Sequence, residues 1–518
     1  MWNETLSVRK DPGGRLNIAL VYPNTYWVGM SNLGLHHMYR LFNDHPGILC
    51  ERFFSDATLS VESGRPLRDF HIIAFSISYE LDYIEAVKIL HAGKIPLLSH
   101  DRGRRPIVMA GGAAITSNPE PVAEAFDLCF LGDGETFPEG LHEAFAASSG
   151  SQEFLERLSL LPGVYVPSMT RPEYQDLRIT GFEGPQPALS VRRNLDNPAR
   201  TSVFTHETAF GDMFLVEIAR GCPFSCRFCS AREIYAPYRA VPLTRLEAIF
   251  GEAVHHRGKV GLVSTSLNNH PAAPDIFRSL QDKGMKVAPP SLRPGMISSE
   301  LLDALRISEV KGVTLAPETG DQGLRFAMGK RISSEVILED VRALVASGIR
   351  DIKLYFMVGL PGETIENIEQ SIDLIKRIRQ TFIHVSKGNR KIGTVSVSIN
   401  VFVPKAHTPL ERHAMLEQAD ARDRIRRMER GLKKESNITV AFEGPKWAYL
   451  QGLIARGDRR VLTLISELAG NEPSSWQRVL KQWRLNPDYY ALSQRDTDEI
   501  LPWSFYSTAC PLEEAHAH

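Results

Sequence analysis

The sequence predicts an α/β protein: a doubly wound parallel-sheet domain, then a partial (β/α)6 barrel, then an α-rich C-terminal extension. Three observations predict it. Apolar runs without polar alternation, each followed by a helical pattern, recur through the first 150 residues. The same rhythm returns more clearly from residue 209. A length of 518 residues asks for about three domains.

The elements follow in chain order. LNIALVYP from Leu16 reads as a buried strand, and a helical stretch follows from Leu33 to Asn43. HIIAFS (His71 to Ser76) is a second strand, with helical spacing from Leu81 to His91 after it. PIVMAGG from Pro106 and FDLCFLGDGE from Phe126 complete a doubly wound domain over 1–150. Residues 151–208 hold Pro162, Pro167, Pro172, Pro185, Pro187 and Pro198 among polar residues, the pattern of a linker with a few short strands. Barrel strands begin at Met213, Val260, Lys286, Gly312, Asp351 and Thr394, with helices near Thr244, Pro274, Ser298, Ser333 and Thr364. This barrel, 209–408, would work from the C-terminal ends of its strands. In the extension, 409–518, Leu410 to Lys434 reads as one long charged helix. A mixed α-rich segment carrying Trp447, Trp476, Trp483 and Trp503 follows.

Composition narrows the function. Sixty Lys and Arg against 61 Asp and Glu give a net charge of −1, which argues against a globally basic nucleic-acid binder. The opening MWNETLSVRK has no apolar core, and no run of apolar residues is long enough to cross a membrane. Six cysteines are too few for a disulfide scaffold, so a reducing, cytoplasmic setting is expected.

Three of the six stand together. In VEIARGCPFSCRFCSAREIYAPYR, Cys222, Cys226 and Cys229 form a C-x3-C-x2-C loop where the first barrel strand ends. Three soft thiolates at that spacing can wrap an iron–sulfur cube and leave one iron open to an outside ligand. Arg220 and Arg227 flank the loop and would offset its negative charge. A zinc knuckle is the competing reading. It would want a fourth ligand; no histidine lies in the loop, and His255 and His256 sit on a later helix.

The C-x3-C-x2-C loop, Phe228 before the last cysteine, and the six-unit barrel together resemble the radical S-adenosylmethionine superfamily. The resemblance implies a [4Fe–4S] cluster on Cys222, Cys226 and Cys229, with S-adenosylmethionine on the open iron. Reductive cleavage would give methionine and a 5′-deoxyadenosyl radical that takes a hydrogen atom from a substrate still to be named. An electron donor such as flavodoxin or ferredoxin is implied with it. LAPETG resembles the superfamily's strand-four motif and places Glu318 near the cofactor, a helix N-terminal acid being the plainer reading. Arg293 in SLRPG is a carboxylate partner or a rim charge. Gly359 and Gly362 in FMVGLPGET allow close approach of an adenine, or simply turn the chain. Val401 and Val403 line the adenine pocket or belong to the core. A Gly-Gly-Glu motif is absent from strand two. There GLVSTSLNNHP offers Ser264, Thr265 or Ser266 for the amino contact.

A doubly wound domain before such a barrel resembles the cobalamin-binding subclass, which implies cobalamin at Asn24–Ser31, Ser76–Glu80, Gly111–Ser117 and Gly132–Glu135. The near match to a cobalt-ligating motif, DFHIIA, enters a strand instead of leaving one, and Ala74 replaces its glycine, so His71 reads as structural. PNTYWVGMSNLGLHHMYRLFN, AGGAAITSNPEP, FVPKAHTP, ARGDRR and a late LPW resemble one uncharacterised family of long radical S-adenosylmethionine proteins. A non-catalytic iron–sulfur or corrinoid-binding sensor is the reading from another class. Methylthio transfer to transfer RNA would need three more cysteines in the first domain, which has Cys50 and Cys129. The basic run Arg422 to Lys434 reads as a solvated helix face, and Ala455 to Arg460 as an exposed salt-bridged turn.

Overall fold

The computed structural model describes residues 2–103, 106–255, 258–386 and 393–506. Its first sheet has strands β1 (Leu16–Tyr22), β2 (Ile48–Phe54), β3 (Ile72–Ser76), β4 (Ile107–Gly111), β5 (Leu128–Phe130) and β6 (Val164–Tyr165). Their spatial order is β2-β1-β3-β4-β5-β6, parallel until β6 turns antiparallel. Every residue of β1 is buried, as a strand covered on both faces requires. The reversal of order beside β1 opens a crevice at the carboxyl edge, the usual ligand position in such sheets. His71 stands at the opposite end of β3, where its Nδ1 accepts the Asn17 N–H, so it is structural.

The barrel is built in two parts. Strands β7 (Met213–Glu217), β8 (Lys259–Val263) and β9 (Lys286–Ala288) form one parallel sheet. Strands β10 (Gly312–Glu318), β11 (Asp351–Val358), β12 (Thr394–Val401) and β13 (Ile438–Phe442) form another. A single parallel bridge, Leu292 to Leu315, joins them. Strand β13 is a seventh parallel strand, in a segment the sequence suggests is helical. The barrel strands also alternate: in β12, Val395, Val397, Ile399 and Val401 are buried while the residues between them are half-buried. One phase packs under the helices and the other faces a lumen left open.

Two further expectations are corrected. The charged helix spans Gln418–Leu432 and does not begin at Leu410. The Glu411 carboxylate accepts both the His407 N–H and the Trp503 indole N–H at 2.7 Å, and this pins the preceding segment out of helix. Residues Ala455 to Arg460 are not exposed: Arg456 and Asp458 are buried, and Arg459 grips Glu120 of the first domain with two hydrogen bonds of 3.0 and 3.1 Å. The C-terminal helices therefore share a hydrophobic cluster with the helix Asp82–Ala92 and complete one face of the first domain.

Candidate active site

Beyond β7 the chain forms a short strand, Ala219–Arg220, paired antiparallel with Arg239–Ala240. The cysteine loop hangs between these two legs. Gly221 holds them close: its φ is +79°, and a Cβ there would lie 2.5 Å from the Tyr235 carbonyl oxygen. Cys222, Cys226 and Cys229 are half-buried, whereas Cys50 and Cys129 are buried in the first sheet. Cys510 lies outside the described residues.

Polar groups converge on the three sulfurs. The Phe224 N–H reaches Cys222, with the Thr265 hydroxyl beside it, and the Ala231 N–H reaches Cys229. Arg293 Nη1 lies 3.6 Å from Cys226 Sγ, and its guanidinium sits 3.7 Å over the Phe224 ring. Burial pushes the Cys222 thiol up and the Cys229 thiol up to about 11, and the charges of neighbouring cysteines push further. Thiolates at Cys222 and Cys229 are therefore costly here until a cation joins them, and a metal deprotonates its thiols outright. Hydrogen-bond donors, one guanidinium and three clustered thiols make a donor set that fits an iron–sulfur cluster. Among the described residues, no three His, Cys, Asp or Glu side chains close around a point that would hold a single metal ion.

A second segment clamps the loop from outside. The Arg227 N–H donates to the Met328 carbonyl oxygen at 3.0 Å, and the Arg227 side chain turns to the Ala327 carbonyl. Gly329, with φ +78°, lies so close that a Cβ would come within 2.1 Å of the Ser225 oxygen. Arg220 does not offset the sulfurs' charge. It is spent on Glu217, Asp133 and Glu135, each with a contact of 2.8 Å. Among the described residues, the cation placed against a sulfur is Arg293.

The remaining candidates separate. Glu318 ends β10 on its half-buried face, has φ +69°, and takes a 2.7 Å ion pair from Lys330. Ser264 lines an interdomain cavity, while the Thr265 hydroxyl donates to the Gly221 carbonyl beside the loop. Phe228 packs on Leu324, Met328, Leu360, Phe402 and Leu410, a small apolar cluster. Gly359, φ +84°, donates its N–H to Glu363 at 2.7 Å and faces Leu416. Gly362 has open space around it. Val401 and Val403 belong to the barrel core, so half-buried Ser398 and Asn400 stand on the lumen phase of β12 instead. His270 is structural, its ring held by the Val241 carbonyl and the Ala272 N–H. His256 lies outside the described residues.

The cavity, ≈ 460 Å³, joins the carboxyl edge of the first sheet to the cysteine loop. Leu20, Ala74, Met109 and Phe130 line it on one side, and Gly221, Ser264 and Thr265 on the other. Charged groups make up much of its wall: Asp133 and Glu135 come from the Gly132–Glu135 edge segment expected from sequence, and His37 joins them without a sequence signal. Asp133 accepts from Arg220 at 2.8 Å and Arg239 at 2.6 Å. His37 Nε2 lies 3.2 Å from Glu135 Oε1, and Arg40 Nη2 lies 3.2 Å from His37 Nδ1. Because Arg40 can only donate, Nδ1 is the acceptor and Nε2 carries the proton given to Glu135. Burial opposes the Glu135 charge, yet His37 and Arg220 hold this carboxyl well below the usual carboxylate range. The Ser76–Glu80, Gly111–Ser117 and Gly132–Glu135 segments pointed here; His37 is one of two adjacent histidines on a helix, and nothing in the sequence says which faces inward.

Residues 216–375 match the radical SAM superfamily, and residues 34–167 match the N-terminal domain of radical SAM proteins. The chain is a radical S-adenosylmethionine enzyme, and the superfamily's [4Fe–4S] cluster and S-adenosylmethionine are its cofactors. An uncharacterized protein of Methanocaldococcus jannaschii, MJ0966, is 29% identical over 480 residues, covering 91% of this chain and 95% of the relative. A probable threonylcarbamoyladenosine tRNA methylthiotransferase of Pyrococcus horikoshii is 24% identical over 35% of this chain and 46% of its own length. Two solved structures share the fold. TsrM from Kitasatospora setae, a radical S-adenosylmethionine methyltransferase with cobalamin and [4Fe–4S] cluster bound, superposes with a TM-score of 0.51 at 15% identity, covering 77% of this chain and 74% of that one. The cobalamin-dependent radical enzyme OxsB, with aqua-cobalamin and S-adenosylmethionine bound, gives 0.50 at 13%, covering 70% and 52%. Among the described residues no helix is long and apolar enough to cross a membrane.

Proposed function

We propose that this enzyme uses a corrinoid, held in the interdomain cavity, for methyl transfer or rearrangement on a substrate approached from the cysteine loop. The observation that carries the reading is the continuity of that cavity from the switch-point crevice to Gly221 and Thr265. Its apolar side, Leu20, Ala74, Met109 and Phe130, suits the face of a flat macrocycle. Gly111, Gly112, Gly132 and Gly134 keep the crevice floor free of side chains. Cobalamin in the TsrM and OxsB structures supports the same reading.

When bound, the cluster supplies the electron that cleaves S-adenosylmethionine to methionine and a 5′-deoxyadenosyl radical. The chain's own residues do the rest. Cys222, Cys226 and Cys229 hold the cluster, Arg293 offsets charge at Cys226, and Lys330 orients Glu318 toward the lumen. The walls keep water from a radical that would otherwise be quenched. The electron comes from flavodoxin or ferredoxin, in a reducing cytoplasm. Methylthio transfer fits less well: Cys50 on β2 and Cys129 on β5 have three strands between them, roughly 19 Å at the usual strand spacing.

The test is anaerobic reconstitution of the full chain, with iron, sulfide, bound corrinoid and 5′-deoxyadenosine measured on the same sample. Iron, sulfide and corrinoid should all be retained, with deoxyadenosine formed on reduction. Cys226→Ala should lose iron and deoxyadenosine together. Deoxyadenosine made by that variant, or zinc in place of iron in the wild type, would contradict the mechanism; iron without corrinoid would remove the corrinoid alone.

A further inference from the structure

One polar atom in the cavity wall is left unsatisfied by the chain. Glu135 Oε1 receives His37 Nε2–H at 3.2 Å and Arg220 Nη1 at 2.8 Å. Glu135 Oε2 is buried and has no hydrogen-bond partner. The side chain is 8% exposed and belongs to the cavity lining. A buried carboxylate oxygen in this state is a standing cost that an incoming donor removes.

We propose that Glu135 Oε2 accepts a hydrogen bond from a peripheral carboxamide N–H of the corrinoid, so that the cavity selects amidated corrinoids over carboxylated ones. The inference rests on the corrinoid reading above. The macrocycle's rim is where its chemistry varies, and a rim carboxylate would set two negative oxygens against each other in a low-dielectric wall. The other oxygen of Glu135 holds Arg220, which leads directly into Gly221 and Cys222. One carboxylate thus ties the ligand to the strand that carries the cysteine loop.

Glu135→Gln sharpens the test because its geometry is dictated. His37 and Arg220 both donate, so they draw the new amide oxygen to themselves and turn its NH2 toward the ligand. That NH2 opposes a rim carboxamide N–H and welcomes a rim carboxylate. The experiment is an anaerobic absorbance titration of the reconstituted full chain with cobinamide, which is amidated, and with cobyrinic acid, which is carboxylated. Wild type should bind cobinamide roughly tenfold tighter or more, and Glu135→Gln should shrink that ratio by roughly tenfold or more. A ratio unchanged within about twofold would overturn the inference while leaving the corrinoid reading intact. Wild type that binds neither probe would overturn both. Should Glu135→Gln fail to fold or take up iron, Glu135→Asp keeps the charge and withdraws the oxygen. It should weaken cobinamide without improving cobyrinic acid, and unchanged cobinamide binding would sink the proposal.

Discussion

Replacing Gly329 by alanine tests whether the cysteine loop is held from outside. Gly329 has φ +78°, where an L-residue pays about 1–2 kcal/mol. The added Cβ would also lie 2.1 Å from the Ser225 oxygen, against backbone that has no rotamer to escape into. Either Ser225 and Cys226 move or residues 328–330 do, and both routes disturb the 3.0 Å bond from Arg227 N–H to Met328, worth about 1 kcal/mol. The total, about 2–3 kcal/mol, falls on a loop outside the barrel core. Reconstituted Gly329→Ala should therefore carry less iron per chain and lose it faster under chelator, while circular dichroism keeps the wild-type spectrum. Wild-type iron content and an unaltered cluster signal in electron paramagnetic resonance would refute this reasoning.

Other perturbations probe other contacts. Arg293→Met removes a cation 3.6 Å from Cys226 Sγ and should make the cluster potential more negative, on the order of tens of millivolts by redox titration; an unmoved potential would place Arg293 outside the cluster's field. Glu120→Ala removes the buried carboxylate that holds half-buried Arg459 and should cost about 3 kcal/mol in denaturant unfolding, with loss confined to surface-pair values counting against the clamp. Burial pushes the Asp82 carboxyl up to about 6, against the hydrogen bond from Asn24. A raised acid costs stability once it must ionise, so neutral Asp82→Asn should be more stable above pH 6 by at most about 3 kcal/mol. The advantage should fade as pH falls from about 6 to about 4 and be absent below that, and a gain independent of pH would exclude this cause.

The legible parts were those where one physical signal acts alone. Strands covered on both faces show as unbroken apolar runs, and β1, β3 and β4 were plain. Strand β2 was not, because Glu51 and Arg52 interrupt its run. Both are buried, Arg52 against Glu4 and Glu62 and Glu51 against Arg65, and those partners are distant or unpredictable in sequence. Strand β13 was hidden because its neighbours read as helix and its pairing with β12 is long-range. At the site, cysteine spacing announced the three sulfurs. Gly329 reaches the cysteine loop, and Lys330 reaches Glu318, through tertiary approach, which leaves no periodic trace. Arg220 misled for the opposite reason: adjacency in sequence suggested a charge beside the loop, while three acids had already neutralised it.

The shared hydrophobic cluster between the helix Asp82–Ala92 and the C-terminal helices bears on how the molecule is made. On the ribosome the first parallel-sheet domain emerges with one flank bare, and it stays so until helices far downstream in the chain arrive to cover it. Maturation therefore couples segments distant in sequence, and oxygen-labile inorganic chemistry is installed in a shell whose seam is sealed late.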